Sequence, residues 1–531
     1  MMVRQAGPQD AAAWCDLVKV TLGEDYPDKR IYDAQWVAGE LDPAGGHETW
    51  ITEVSGAIQA SVTVLRPTTN NLNPVTNVGR NLFRPEAFTN ESAETLYRKI
   101  VELAGERKCL MVVRVLVSES AQQQVLEKIG FVCAGYQPSK HMHRVRLGTL
   151  FYVYERPETV AARLPVSESL SQINELASKV LAGLGVNNPI TVRDGVTGYP
   201  LQTEVQIHEA TPEDYELWRE EARKANPPLE ISGGFNQGVG LLRTASTEPA
   251  RALLAQRGSD MTAGLAYVVD EHDRCIRMVD SFATDDLSTG ALFNHVVKQA
   301  QTQFNSIYVE TDILMTAPRL LKAAEQLGFV PVAYLPALST RAGGQADVVK
   351  LIKLNMVYSQ EEVVLSTQAR AIVEVINQNF QDQKMGVAII NLLRGLPIFD
   401  GLGDGELRKV ARLFIQKLFR AGEKLFKRGD SGSEAYVVMR GQIDILLEDG
   451  TPPLASVTNG QIFGELAFLD GAARTANAVA VQPSILLVIQ RAAFYELAQR
   501  EPHLGMMIMR NIGLILSDRM RKSGAAAAGK K

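Results

Sequence analysis

An internal repeat limits the fold more than any other feature of this chain. Residues 129–138 read IGFVCAGYQP, and residues 327–336 read LGFVPVAYLP. An amphipathic helical run precedes each, QQQVLEK in one case and LLKAAEQ in the other, and a β-rich run precedes each helix, LMVVRVLV and SIYVETDIL. The openings match as well: VRQAGPQDAAAW at residues 3–14 and QIHEATPEDYELW at residues 206–218. In both, a short strand meets a proline and an aspartate, which suit the first turn of a helix and its positive end. The chain therefore holds two β/α units, offset by about two hundred residues. Each ends in a helical extension, SESLSQINELASKVLAGL in the first and STQARAIVEVINQNF in the second.

Composition excludes several classes. Across 531 residues the net charge is only −5, too small and too acidic to suggest a nucleic-acid-binding surface. No apolar run approaches the ~18 residues of a membrane span. The first residues, MMVRQAGPQDAAAW, lack the charged start and apolar core of a signal peptide. Cys15, Cys109, Cys133 and Cys275 form no CxxC pair, so neither a disulfide framework nor a metal site is expected. These features predict a cytoplasmic protein kept in a reducing compartment.

The order of elements in each unit resembles the GCN5-related N-acetyltransferase family: strand and helix, β-meander, a strand feeding a helix, then strand, helix and "GF". The resemblance covers most of residues 1–160 and 204–356. It implies an acetyl-CoA pyrophosphate loop of the form R-G-x-G-x-G/A, whose glycines turn backbone N–H groups toward the phosphate. In the first unit this loop falls on PEAFTNESAETL, residues 85–96, where Phe88 holds the Arg position and Thr89, Glu91 and Ala93 hold the glycine positions. In the second unit the region is SFATDDLSTGALF, residues 281–293, with Asp285, Asp286 and a single Gly290. The family's Asn and its general-acid Tyr fall on Glu119 and Leu126 in one unit, and on Ala317 and Ala324 in the other. Acetyl-CoA is thus disfavoured as a cofactor, no catalytic residue is assigned, and whether the chain is an enzyme stays open.

The C-terminal third carries a more specific motif. LPIFD at residues 396–400 is followed by short β-rich runs broken by glycines at 429, 432 and 441, spacing that suits a small β-roll. Residues 463–476, FGELAFLDGAARTA, resemble the phosphate-binding cassette of cyclic-nucleotide-binding domains, F-G-E-L-A-L-L-x-x-x-P-R-x-A, with Ala473 in place of the usual Pro. The resemblance implies cAMP or cGMP as ligand and assigns it to six residues. Gly464 allows close approach. Glu465 accepts from the ribose 2′-OH. Glu465, Leu466 and Ala467 open a helix whose N–H groups face the phosphate. Arg474 forks onto the phosphate oxygens, and Thr475 adds a hydroxyl.

Residues 502–520, PHLGMMIMRNIGLILSDRM, form an apolar helix with more hydrophobic surface than one packing face needs, which predicts a homodimer through this segment. Only KSGAAAAGKK follows, too short for a DNA-binding arm. The expected architecture is α+β and multidomain. It comprises a first acetyltransferase-like domain with its helical extension at 1–190, a second at 204–360 and a helical connector at 361–392. A cyclic-nucleotide-binding β-roll with flanking helices follows at 393–522, and a disordered tail at 523–531. Two functions fit this plan. One is a cyclic-nucleotide sensor controlling degenerate acetyltransferase-like domains that bind an unknown partner or ligand. The other is a cyclic-nucleotide-regulated N-acetyltransferase.

Overall fold

In a computed structural model the chain divides into two compact units, Met1–Phe380 and Gln381–Lys531. The structure describes all residues except 27, 46, 66–74, 108–109, 143–145, 167, 188–189, 193–195, 203, 225–229, 232–249, 342–343, 357–363 and 529–531. Cys109 lies outside the described residues; Cys15, Cys133 and Cys275 are buried and unbridged.

The repeat is visible as two halves of one sheet. The first half comprises β1 (Met2–Gln5), β2 (His47–Val54), β3 (Ala57–Leu65), β4 (Val75–Phe83), β5 (Leu110–Leu116), β6 (Val132–Met142) and β7 (Arg146–Tyr154). The second comprises β8 (Gln206–Ala210), β9 (Arg251–Arg257), β10 (Asp260–Asp270), β11 (Cys275–Ala283), β12 (Tyr308–Leu314), β13 (Val330–Arg341) and β14 (Gly344–Leu354). Among the described residues the sheet has 14 strands, in the order 1-2-3-4-5-7-6 and then 13-14-12-11-10-9-8. The second half thus mirrors the first. Each half has one parallel pair, β4 with β5 and β11 with β12, in otherwise antiparallel surroundings. A parallel pair cannot be closed by a hairpin, so a helix crosses between its strands. Those helices are α2 (Ser92–Arg107) and α6 (Asp286–Thr302), in the same order as α1 (Ala11–Leu22) and α5 (Pro212–Lys224) at the openings, and α3 (Ser120–Lys128) and α7 (Pro318–Gln326) before the two "GF" turns.

The halves join where β6 meets β13, with Gly135 opposite Ala333. A Cβ on Gly135 would lie 2.2 Å from the Ala333 Cβ and 2.5 Å from the Val332 carbonyl oxygen, so only glycine allows this approach. One continuous core runs through both halves, taking Phe131, Tyr136 and Tyr152 from the first and Tyr308, Phe329 and Tyr334 from the second. The expected boundaries at 190 and 204 therefore fall inside a single compact unit. Helix α4 (Ser171–Gly183), the first half's extension, buries Ile173, Leu176 and Val180 in the same core.

Helix α8 (Thr367–Arg394) begins in the first unit and ends in the second. Its Ile372, Ile376 and Phe380 belong to the first core, whereas Ile390 and Leu393 belong to the second unit's core. The second unit holds two four-stranded antiparallel sheets. In one, β15 (Phe414–Phe419) lies beside β22 (Ser484–Gln490), then β17 (Glu434–Arg440) and β20 (Ile462–Phe463). In the other, β16 (Lys424–Phe426) lies beside β21 (Asn477–Ala480), then β18 (Gln442–Leu446) and β19 (Ala455–Thr458). The short helix α9 (Glu465–Asp470) interrupts the roll, and the long helix α10 (Pro502–Ala528) closes the unit. Leu504, Ile508 and Ile512 of α10 are buried, each contributing ~1.5–3 kcal/mol by removal from water. The helix continues to Ala528, into the segment whose composition predicts a disordered tail. Alanine is the strongest helix former, so the run at 525–528 extends an already nucleated helix.

Candidate functional site

The cassette is built by a sharp turn between strand and helix. After β20, Gly464 adopts φ 76°, a left-handed conformation that reverses the chain into α9. Gly471 ends that helix at φ 72°, and Asp470 accepts from the Ala472 amide at 2.8 Å, shaping the return. The return strand is pinned at Arg474: its amide donates to the Asp430 carbonyl and its own carbonyl accepts from Gly429, both at 2.8 Å.

This brings Arg474 inward. The residue is 5% exposed. Its guanidinium donates to the Gly464 carbonyl at 3.0 Å and to the Glu434 carbonyl at 2.9 Å. Its Cζ lies 4.2 Å from the Phe426 ring centre and 5.6 Å from that of Tyr436. Its Nε is buried without a hydrogen-bond partner, and among the described residues no carboxylate pairs with it. A buried cation held by carbonyls and by Tyr436 and Phe426, with no carboxylate paired to it among the described residues, favours an incoming anion.

The other expected residues divide. Gly464, Glu465, Ala467 and Arg474 come together, with Glu465 and Ala467 buried in α9. Leu466 is exposed, and so is Thr475. Of the three glycines that break the β-rich runs, Gly429 (φ 89°) and Gly441 (φ 114°) adopt backbone angles that favour glycine. Gly432 is required by space instead: a Cβ there would lie 2.6 Å from the Arg474 Nε. Glu434, Phe426 and Tyr436 escape the sequence reading, because nothing local marks them. The Glu434 carboxylate accepts from Tyr436, from Gln490 at 2.6 Å and from Lys417 at 3.3 Å. Burial works to raise its pKa, but these donors together hold it below the ordinary carboxylate value.

The regions aligned with the acyl-carrier loop differ between the two halves. In the first half, Phe88 packs tilted against Phe83 (5.4 Å between centres), Phe83 tilted against Tyr97 (5.5 Å), and Tyr97 meets Phe131 edge-on (6.4 Å). Where β4 and β5 diverge, Asn81 donates its side-chain amide to the Arg114 carbonyl at 2.7 Å. In the second half, backbone lines the region without closing it, and a pocket remains between Glu230, Ile231, Gly264, Phe282, Thr289 and Phe293. Ile231 bridges to Ile313 of β12, and the Leu314 amide donates to the Glu230 carbonyl at 2.9 Å. The segment Gly198–Leu201 crosses α6 and α7. A Cβ on Gly290 would lie 2.2 Å from the Pro200 carbonyl oxygen, and Asn294 donates to the Leu201 carbonyl at 2.8 Å. Tyr199 donates to the Glu230 carboxyl at 2.6 Å, and burial raises the pKa of that carboxyl. Asp285 caps α6 through the Ser288 amide (2.8 Å) and pairs with Arg257, while Asp286 pairs with Arg319. Leu126 and Ala324, at the general-acid positions, are fully buried.

Among the described residues no group of three or more His, Cys, Asp or Glu side chains could hold a metal ion, and no described helix is long and apolar enough to cross a membrane.

The roll, the turn at Gly464 and the inward Arg474 define a class. Residues 416–501 match the family model of the cyclic nucleotide-binding domain, and the C-terminal unit carries such a domain. The chain is 31% identical over 134 residues to the cyclic AMP receptor protein of Thermus thermophilus, covering 25% of this chain and 60% of that protein. It is 27% identical over 141 residues to the cGMP-dependent protein kinase egl-4 of Caenorhabditis elegans, covering 26% of this chain and 18% of the kinase. A crystal structure of the Thermus thermophilus catabolite activator protein aligns with 30% identity over 25% of this chain and 62% of that one, with a TM-score of 0.23. The chain thus spans less than two thirds of the curated relatives it matches.

Proposed function

We propose that this protein is a cyclic-nucleotide-sensing regulator. Its β-roll takes cAMP or cGMP, and the sensor controls the first unit, whose two acetyltransferase-like repeats bind a partner or ligand without the family's chemistry. The observation that carries the first part is Arg474, a buried cation with an unpartnered Nε and no carboxylate at hand. The cyclic phosphate supplies the missing charge. Gly464 admits the sugar-phosphate, Glu465 takes the ribose hydroxyl, the amides from Glu465 to Ala467 face the phosphate, and Thr475 adds a hydroxyl. Leu466, exposed on α9, is free to cover the ligand. The relatives named for cyclic AMP and cGMP support both ligands equally.

The mirrored strand order with one parallel pair per half supports the acetyltransferase-like reading of the first unit. The replaced Arg and glycine positions in both halves support its degeneracy. The aromatic row from Phe88 to Phe131 packs beside that region in the first half, whereas in the second Glu230 and Ile231 line a pocket open to a small ligand. The exposed Met506 and Leu514 on α10 support a homodimer through residues 502–520.

Calorimetric titration of the full chain tests this reading. Wild type binds cAMP or cGMP, and Arg474→Ala loses ~2–5 kcal/mol of affinity. Unchanged binding in that variant overturns the pocket. Acetyl-CoA binds weakly or not at all. A low-micromolar dissociation constant, with nucleotide-responsive acetyl transfer to an amine, instead establishes the N-acetyltransferase.

A further inference from the structure

The geometry points to a slot, formed by Phe426, Tyr436 and Gly432, that fixes the plane of the Arg474 guanidinium before any ligand arrives; this inference rests on the nucleotide-binding reading above. Three observations build the slot independently. The Phe426 ring lies beneath the guanidinium, 4.2 Å from its carbon. The Gly432 backbone lies against its Nε, so closely that a Cβ would come within 2.6 Å. Tyr436 flanks it at 5.6 Å and stacks on Phe463 at 5.1 Å and 15°, which fixes the Tyr436 ring. Phe426 in turn leans on both rings, at 5.7 Å and 6.2 Å. A guanidinium held between a ring face and a backbone keeps its plane whichever acceptors its N–H groups meet.

The consequence is preorganisation. A free arginine side chain loses rotamer freedom when it grips a phosphate, whereas one already fixed loses little. The two carbonyls that Arg474 holds, Gly464 and Glu434, are exchangeable partners: the ring contacts persist while N–H groups turn to a ligand. Phe426, Tyr436 and Gly432 are therefore positioning residues that act through Arg474. The chemistry also separates a π face from apolar bulk. Leucine fills much of the volume of phenylalanine but offers no quadrupole to a cation.

Titration of full-length variants with cAMP and with cGMP tests the slot. Phe426→Tyr keeps the ring face and keeps wild-type affinity. Phe426→Leu keeps apolar bulk and binds roughly thirtyfold more weakly, the scale of a desolvated cation–π contact. Gly432→Ala, whose Cβ would come within 2.6 Å of the Arg474 Nε and 2.7 Å of the Ala467 Cβ, weakens binding at least as much. Thermal melting of each variant confirms an intact roll. Wild-type affinity in Phe426→Leu or in Gly432→Ala overturns the slot, as does equal weakening in Phe426→Tyr and Phe426→Leu. Wild type that binds neither nucleotide removes the functional reading itself, and the slot with it.

Discussion

Glu91 carries a strained backbone conformation in the first half. It occupies a glycine position of the acyl-carrier pattern and holds φ 63°, the left-handed conformation glycine adopts freely. A side chain there costs roughly 1–2 kcal/mol. Glu91→Gly is therefore expected to be about 1 kcal/mol more stable than Glu91→Ala, measured by urea unfolding. Equal stabilities would mean that the turn is not strained. At this scale the nucleotide site was half legible. Gly464, Glu465 and Arg474 stand close together in sequence, and their spacing along one turn and one helix encodes their meeting. Phe426, Gly432 and Tyr436 reach Arg474 only when the two sheets of the roll close, and no local pattern records that.

Between elements, the sequence reported the parts and withheld the joints. The "GF" turns after α3 and α7 were readable because an amphipathic helix meets a strand twice in the same order. That β6 and β13 lie edge to edge was not readable, since alternation of apolar residues marks a strand's faces and not its neighbours. Gly135 carries that joint. Gly135→Val forces side-chain atoms into the Ala333 and Val332 backbone and should cost at least ~3 kcal/mol, at the upper end for overpacking. Denaturant unfolding reads the loss, and a cost below about 1 kcal/mol contradicts the close approach. Helix α10 gives the second prediction at this scale. Leu504, Ile508 and Ile512 turn into the roll's core, while Met506 and Leu514, both more than half exposed, remain outside. If that outer face pairs with a second copy, Met506→Glu with Leu514→Glu converts a dimer mass into a monomer mass in light scattering at micromolar concentration. A monomeric wild type removes the dimer.

At the scale of the molecule, the two halves of the first unit are tied by charges as well as by a sheet. Glu310 of β12 accepts from Lys140 (3.0 Å) and Gln137 (2.7 Å), both on β6, and from Arg277 of β11 at 2.6 Å. Nearby, Lys350 pairs with Asp312 at 2.6 Å. Glu310 and Lys140 are almost wholly buried, at 2% and 7% side-chain exposure. Burial alone would raise the Glu310 pKa, yet Lys140, Arg277 and Lys350 outweigh it and hold the carboxyl well below the ordinary value. A carboxylate so depressed stabilises the folded state fully above its unfolded pKa, about 4.3. The contribution fades only as pH falls through the lower folded value. Glu310→Gln leaves two buried cations short of their partner, a change worth about 3–5 kcal/mol. Unfolding by urea across a pH series should then show wild type more stable by that amount and by the same margin from pH 5 to 8, within about 1 kcal/mol. The margin should shrink only in strong acid. Adding Lys140→Met should restore part of the loss, since removing both members of a buried pair costs less than removing one. A margin under about 1 kcal/mol at pH 7, or one that vanishes already at pH 5, would show that Glu310 does not bind the halves together as a charged partner.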